Sequence, residues 1–235
     1  MLEIIYEDED LIAINKEAGL LVHRTKIDKY ETRFAVQELR DQIGKKVFPV
    51  HRLDKPTSGV LLFALNADMA AKISKIFEAN KVTKEYLAVV RGYTEELGQI
   101  DYALKEQLDK MTDNLADQNK PAQQAKTNYR RLTTLELPIP VGRYDTSRYS
   151  LLAVEPLTGR KHQIRRHMKH IFHPLVGDTT HGDGKHNTMF RSRFNCHRLL
   201  LHAKSLSFIH PESNRPVKIE AGVDESFSRI LALFD

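Results

Sequence analysis

The sequence predicts an α+β domain built on a mixed sheet. Three observations carry that reading. Short apolar or alternating runs of strand type recur along nearly the whole chain, helical runs are fewer and irregularly placed, and no internal repeat is visible. Regular βαβ winding would alternate strand and helix, and this chain does not. With 235 residues, 41% of them hydrophobic, the chain can bury one sizeable core, so a single domain over 1–235 is expected.

The elements follow in order. "EIIYEDEDLIAINKEAGLLVH" predicts two short strands around an acidic turn, because Ile4, Tyr6, Leu11, Ile12 and Ile14 are β-branched, aromatic or apolar at short spacing. "TRFAVQELRDQIG" predicts a helix: Phe34, Val36, Leu39 and Ile43 recur near helical spacing and Gly44 is a stop signal. "GVLLFALN" is a continuous apolar run, read as a buried strand. "DMAAKISKIFEAN" is an amphipathic helix with Asp68 near its start. "KEYLAVVRGY" alternates as a strand until Gly92. Residues 105–125 lose periodicity and aromatics, which predicts an exposed, partly mobile insertion. Strands follow at "KTNYRRLTTLEL" and "RYSLLAVEP", then a helix from about Thr158, and late strands around "LLLHAKSLSFIHP" and "PVKIEAG".

Composition narrows the function classes. The first residues are acidic and alternating, unlike a signal peptide or a membrane span, so a cytoplasmic protein without membrane contact is expected. The single cysteine, Cys196, permits neither an intramolecular disulfide nor a Cys-rich zinc site. The net charge of +5 is modest, but its distribution is uneven. Residues 159–173, "GRKHQIRRHMKHIFH", hold five Lys and Arg and four His with no acid. Clustered basic charge favours a polyanionic partner such as RNA.

"HRLDKPTSG", residues 51–59, places Asp54 between Arg52 and Lys55 in a turn before the apolar run. Pro and Gly explain the turn; they do not explain a carboxylate between two cations. Flanking cations favour its ionised form, which suits a nucleophile or an electrostatic stabiliser, although a turn aspartate with a surface ion pair fits the loop equally well. Tyr86 lies on a strand, where a tyrosine is ordinarily core. On the basic segment, Ile164, Met168, Ile171 and Phe172 form one stripe, expected to be buried, and Lys161, Arg165 and Lys169 a second row. Thr158 is a candidate N-cap whose helix start would offer N–H groups to phosphate, against the alternative of a solvated basic face. An aspartate, a tyrosine and an arginine together suit acid–base and stacking chemistry. The histidines His162, His167, His170, His173, His181 and His186 lack metal-site spacing and stand among cations, so no metal is expected.

Four segments in order, "LIAINKEAGLLVH", "HRLDKPTSGVLLFAL", "KEYLAVVRG" and "TGRKHQIRRHMKHIFHPLVGD" with "RLLLHA", together resemble the RluA family of pseudouridine synthases. The resemblance implies a central mixed, largely antiparallel sheet with flanking helices and a catalytic cleft, with no cofactor and no metal. It implies roles as well: Asp54 attacks the target nucleoside, Tyr86 packs on the uracil and helps remove its C5 proton, and Arg165 pairs with Asp54. Arg52 fills the space of the flipped base, while Arg160, Lys161, His162, Gln163, Arg166 and Lys169 grip the RNA. "GLLVHRTKID", "RDQIGKKVFPVHRLDKPTSG", "LDKMTDN" and "VGRYDTSRYSLLAVEPLTGRKHQIRRH" are similar to the members acting on uridine 65 of tRNA. The chain opens at the first motif, so no small N-terminal RNA-binding domain is expected, and a monomer is. Ribosomal RNA as the substrate, or a catalytically silent RNA-binding module, are the alternatives.

Overall fold

The computed structural model describes residues 1–24, 31–106 and 121–235. Among these residues ten strands build one sheet: β1 Glu3–Glu7, β2 Leu11–Lys16, β3 Phe48–Pro49, β4 Ser58–Ala64, β5 Thr83–Arg91, β6 Leu97–Asp101, β7 Lys126–Leu137, β8 Ser147–Pro156, β9 Leu201–Ile209 and β10 Pro216–Glu220. The order is β1-β2-β4-β9-β5-β8-β7-β6, with β3 beside β4 and β10 beside β9. The pairings are antiparallel except β4 with β9, which run parallel over Ser58↔His202 and Gly59↔Ala203. That junction needs a glycine, since Gly59 has φ 110° and a Cβ there would sit 2.1 Å from the Ala203 carbonyl oxygen. β4 therefore enters the sheet centre against backbone, directly after the "HRLDKPT" loop.

Among the described residues five helices cover the sheet: α1 Ala35–Ile43, α2 Ala67–Glu78, α3 Gln163–His170, α4 Gly184–Phe194 and α5 Glu225–Leu231. β4 is buried on both faces, which explains its unbroken apolar run. Leu62 and Ala64 pack with Met69 and Ile73 of α2, while Leu61 and Phe63 pack with Ala35 and Leu39 of α1. Farther along, Ala88 and Val90 pack with Ile164 and Met168 of α3. On the opposite face Val89 meets Phe190 of α4 and Phe227 of α5. α1 and α3 thus share one face, and Tyr86 touches the core cluster beneath each. Among the described residues no helix is long and apolar enough to cross a membrane.

The mixed, largely antiparallel sheet agrees with the expected class, and four elements, β3, β6, α4 and α5, are additions to it. Asp68 lies in the first turn of α2, as expected, and Asn66 caps the helix by accepting from Met69 N at 2.8 Å. Two local readings are corrected. The basic helix begins at Gln163 rather than Thr158, because the Thr158 hydroxyl is spent on the Gln163 side chain (2.8 Å) and on Lys126 N (3.1 Å), and His162 adopts a left-handed conformation. The apolar stripe ends early: Phe172 is 80% exposed with φ 65°, since the helix has already closed at Ile171. Of the expected insertion at 105–125, residues 107–120, including "LDKMTDN", lie outside the described residues. Before and after them, Leu104 and Gln123 exchange two backbone hydrogen bonds, at 2.8 and 3.0 Å.

Candidate active site

The loop carrying Asp54 is pinned from several directions. His51 Nε2 accepts from Leu62 N at 2.9 Å and its ring stacks on Phe77 at 5.0 Å. Leu53 is buried in the α1 cluster. Asp54 O accepts from Thr57 N at 3.0 Å, closing a turn, and Lys55 O accepts from Gly19 N at 2.8 Å. Beneath lies Lys16, fully buried, whose Nζ donates to Glu17 O, Leu20 O and Lys55 O at 2.9, 2.8 and 3.1 Å. Burial, then the charge of Arg198, pulls this ammonium down to about 7. One lysine thus ties together the end of β2, the turn after it and the Asp54 loop.

The carboxylate of Asp54 meets α3. Its Oδ2 accepts from Arg165 Nη1 at 3.1 Å and stands 3.8 Å from His162 Nε2. Its sequence neighbours look elsewhere: Lys55 Nζ pairs with Glu31 at 2.5 Å, and Arg52 is exposed on the cleft wall. The cations facing Asp54 therefore come from across the fold rather than from its own turn. The expected pairing with Arg165 is present but single. The guanidinium fork goes to Asp178, with Nε to Oδ2 at 2.7 Å and Nη2 to Oδ1 at 2.8 Å. Arg165 is 3% exposed and Asp178 2%. Asp178 Oδ1 also accepts Thr180 N and His181 N, both at 2.9 Å. Burial alone would raise the Asp178 carboxyl, but the Arg165 fork and these N–H donors outweigh it and leave it below the usual carboxylate range.

Tyr86 lies on β5 within reach of the Asp54 charge. Burial, then that charge, holds its phenol far above the usual value, so it stays protonated at neutral pH. Packing against a base is open to it as it stands; taking a proton from carbon requires losing its own first.

The cleft has a volume of about 550 Å³, and its wall gathers Arg52, Asp54, Lys161, His162 and Arg165 with Arg198. Arg160, Gln163, Arg166 and Lys169 lie off that wall. Gln163 is buried and fully engaged: its Oε1 accepts from Thr158 Oγ1 and Arg160 N, and its Nε2 donates to Lys126 O and Thr127 Oγ1. It latches the turn before α3 onto β7. Arg160 donates to Gln124 O at 3.2 Å, Arg166 is half-buried and Lys169 is exposed. Among the described residues no group of three His, Cys, Asp or Glu is placed to hold a metal ion.

Sequence reasoning passed over Lys16, His51, Asp178 and Arg198, and weighed His181 only as a metal ligand. Two carried a signal. Lys16 ends an apolar strand run, and Asp178 is the only acid between Glu155 and Asp183.

The chain as a whole is similar to known proteins. Residues 10–170 match the family model described as RNA pseudouridylate synthase. The chain is 55% identical over 234 residues to tRNA pseudouridine synthase C of Vibrio cholerae, covering 100% of this chain and 96% of that protein. It is 53% identical to the Haemophilus influenzae protein of the same name, covering 100% and 98%. Of solved structures, human RNA Pseudouridylate Synthase Domain Containing 1 superposes with a TM-score of 0.71 at 26% identity, covering 95% of this chain and 84% of that one.

Proposed function

The chain belongs to the RNA pseudouridylate synthase family, in its RluA-type branch, and is an isomerase; from that premise we propose that it converts uridine to pseudouridine in tRNA, at uridine 65, with Asp54 as nucleophile. The substrate class is supported by the names of relatives that align over the full chain at 50 to 55% identity. In the reaction the C1′–N1 bond breaks, a C1′–C5 bond forms, C5 loses a proton and N1 gains one, so no co-reactant is required. The work left to the protein is to extract the base and hold a carboxylate at the sugar.

The observation that carries the reading is the asymmetry of the Asp54 carboxylate. Arg165 holds Oδ2, whereas Oδ1 has no partner among the described residues, and the group lines the cleft. One oxygen is oriented and the other is presented, on a turn fixed by a buried lysine and a strand mouth. Such preorganisation is what an attacking group requires. Arg52, exposed on the same wall, takes the place vacated by the base, and Tyr86, on β5 near the Asp54 charge though not among the residues lining the cleft, packs against the flipped ring. Exposed Lys161 and Lys169 grip phosphate, and the chain works as a single catalytic domain.

The test is pseudouridine mapping in tRNA and ribosomal RNA from cells with and without the protein, combined with Asp54→Asn in vitro. The expected result is loss of one tRNA pseudouridine in the deletion and no product with Asp54→Asn, which still folds and binds tRNA. Turnover by that variant removes Asp54 from the reaction, and a missing rRNA pseudouridine reassigns the substrate.

A further inference from the structure

We infer that His162 is a positioning residue for Asp54, acting with His181 as a tautomer-linked pair that presents an N–H to the carboxylate. The inference rests on the reading of Asp54 as the reacting group. Its first support is conformational. His162 has φ 55° and ψ 28°, a left-handed backbone uncommon outside glycine, which histidine adopts less rarely than most residues, as asparagine and aspartate do. It occupies the N-cap of α3, yet its side chain makes no capping bond. The imidazole is directed instead between two partners: Nε2 stands 3.8 Å from Asp54 Oδ2, and Nδ1 lies 3.0 Å from His181 Nε2. A cleft side chain that caps nothing and is aimed between two polar partners points to a role in the site.

The second support is how the pair is held. His181 is 7% exposed, and its backbone N–H is fixed by Asp178 Oδ1, the carboxylate that also forks Arg165. Both groups that approach Asp54 Oδ2 therefore take their position from one buried aspartate. The third is proton accounting. A nitrogen-to-nitrogen hydrogen bond contains one hydrogen. If His162 supplied it, the bare Nε2 of a neutral ring would face a carboxylate oxygen. If His181 supplies it, His162 Nε2 carries the hydrogen towards Asp54. The carboxylate selects the second arrangement, so His181 donates to His162 and His162 faces Asp54 as an N–H. At 3.8 Å this contact is longer than a hydrogen bond, and bonds of this kind shorten when substrate completes the site.

One added proton reverses the pair. His162 then donates from both nitrogens and meets Asp54 as a cation, an ion pair that blunts the nucleophile. The groups facing His162 are Asp54, Arg165, His181 and Lys161; those around His181 are Asp178, Arg165, Lys169 and Arg166. Burial first, with these cations, draws His162 down to about 4 against the opposing pull of Asp54, so the pair is neutral at working pH.

Two substitutions separate the contacts. Asparagine tolerates the left-handed backbone and can place its amide oxygen where Nδ1 stands, accepting from His181 but not reaching Asp54. Glutamine places its amide nitrogen where Nε2 stands and does not titrate. Single-turnover pseudouridine formation is measured with saturating enzyme on tRNA from cells lacking the protein, between pH 5 and 8, alongside melting temperature and tRNA affinity. His162→Asn is expected to lower the rate by roughly tenfold to a hundredfold, the scale found when an outer-shell hydrogen-bond partner is lost, with melting and affinity unchanged. His162→Gln is expected to recover most of the rate. Wild-type rate in His162→Asn, equal loss in both variants, or an effect confined to affinity overturns the assignment. Wild type and Asp54→Asn run in parallel. Turnover by Asp54→Asn removes the reading beneath the proposal, whereas an active wild type with an inactive Asp54→Asn upholds that reading, and the two His162 variants then decide the role of the histidine.

Discussion

Replacing Asp178 by asparagine tests whether the site is assembled from its buried ion pair. The change is nearly isosteric. Oδ1 remains and still accepts Thr180 N, His181 N and Arg165 Nη2; Oδ2 becomes an NH₂ group facing the Arg165 Nε–H. One short charge-assisted bond becomes a donor-to-donor clash, and a guanidinium that is 3% exposed loses its close counter-charge. Breaking a buried pair from one side costs about 3 to 5 kcal/mol. Asp54, still 3.1 Å from Nη1, offsets part of that, so about 3 kcal/mol is expected. For a chain of this size the melting temperature should fall by roughly 6 to 12 °C, at about 2 to 4 °C per kcal/mol. The guanidinium, released from its fork, also ceases to fix Asp54, so the single-turnover rate should fall at temperatures where the variant remains folded. Because the folded Asp178 carboxyl lies below its unfolded value, its stabilisation is complete above the unfolded value of 3.8 and is lost as pH falls through the folded one; the asparagine variant lacks that dependence. The assay is thermal melting with single-turnover kinetics. A variant melting within about 2 °C of the wild type would show that the fork contributes nothing to stability.

Acid should weaken the Asp54 loop at milder pH through His51. Its Nε2 must be bare to accept from Leu62 N, and burial, then the Lys84 charge, holds it at about 3. Stability from this group is therefore full above its unfolded value of 6.5 and is lost as pH falls towards 3, amounting to about 2 kcal/mol by pH 5. His51→Gln should flatten the melting temperature between pH 7 and 5, and an unchanged slope would mean that His51 carries no such linkage. Lys161→Gln with Lys169→Gln should weaken binding to all RNAs alike and lower the salt slope of affinity by roughly one unit per lost phosphate contact. An unchanged slope would make these lysines a solvated face.

What the sequence made legible divides by distance. β2, β4, β5, β7, β8 and β9 are visible because their apolar patterns register burial directly, and α1 and α2 because their periodicity does. α4 is hidden: "GKHNTMFRSRF" buries Asn187 beside Met189 and Phe190, so its inward face is not marked by hydrophobicity. Asn187 is buried for polar reasons, accepting from Gly177 N and donating to Asp178 O. The start of α3 is hidden in the same way, since Gln163 and Thr158 satisfy each other instead of capping.

The Asp54 loop shows where local reading misleads. Arg52 and Lys55 adjoin Asp54 in sequence and invite the inference of a charge-stabilised turn, yet the charges that matter arrive from α3. Adjacency on an extended loop sends neighbouring side chains in different directions, so sequence proximity is weak evidence for an ion pair. Burial is stronger evidence. An arginine on a helix that must cover a sheet cannot remain uncompensated, and Asp54 alone, 23% exposed at its side chain, is poorly suited to compensate it. Between Glu155 and Asp183 the chain offers one acid, and the fold delivers it to the fork. Asp178 was thus recoverable by elimination. Its hold on His181 was not, because a backbone N–H leaves no mark on the sequence, and through that bond one aspartate comes to orient both the arginine and the histidine pair that face Asp54.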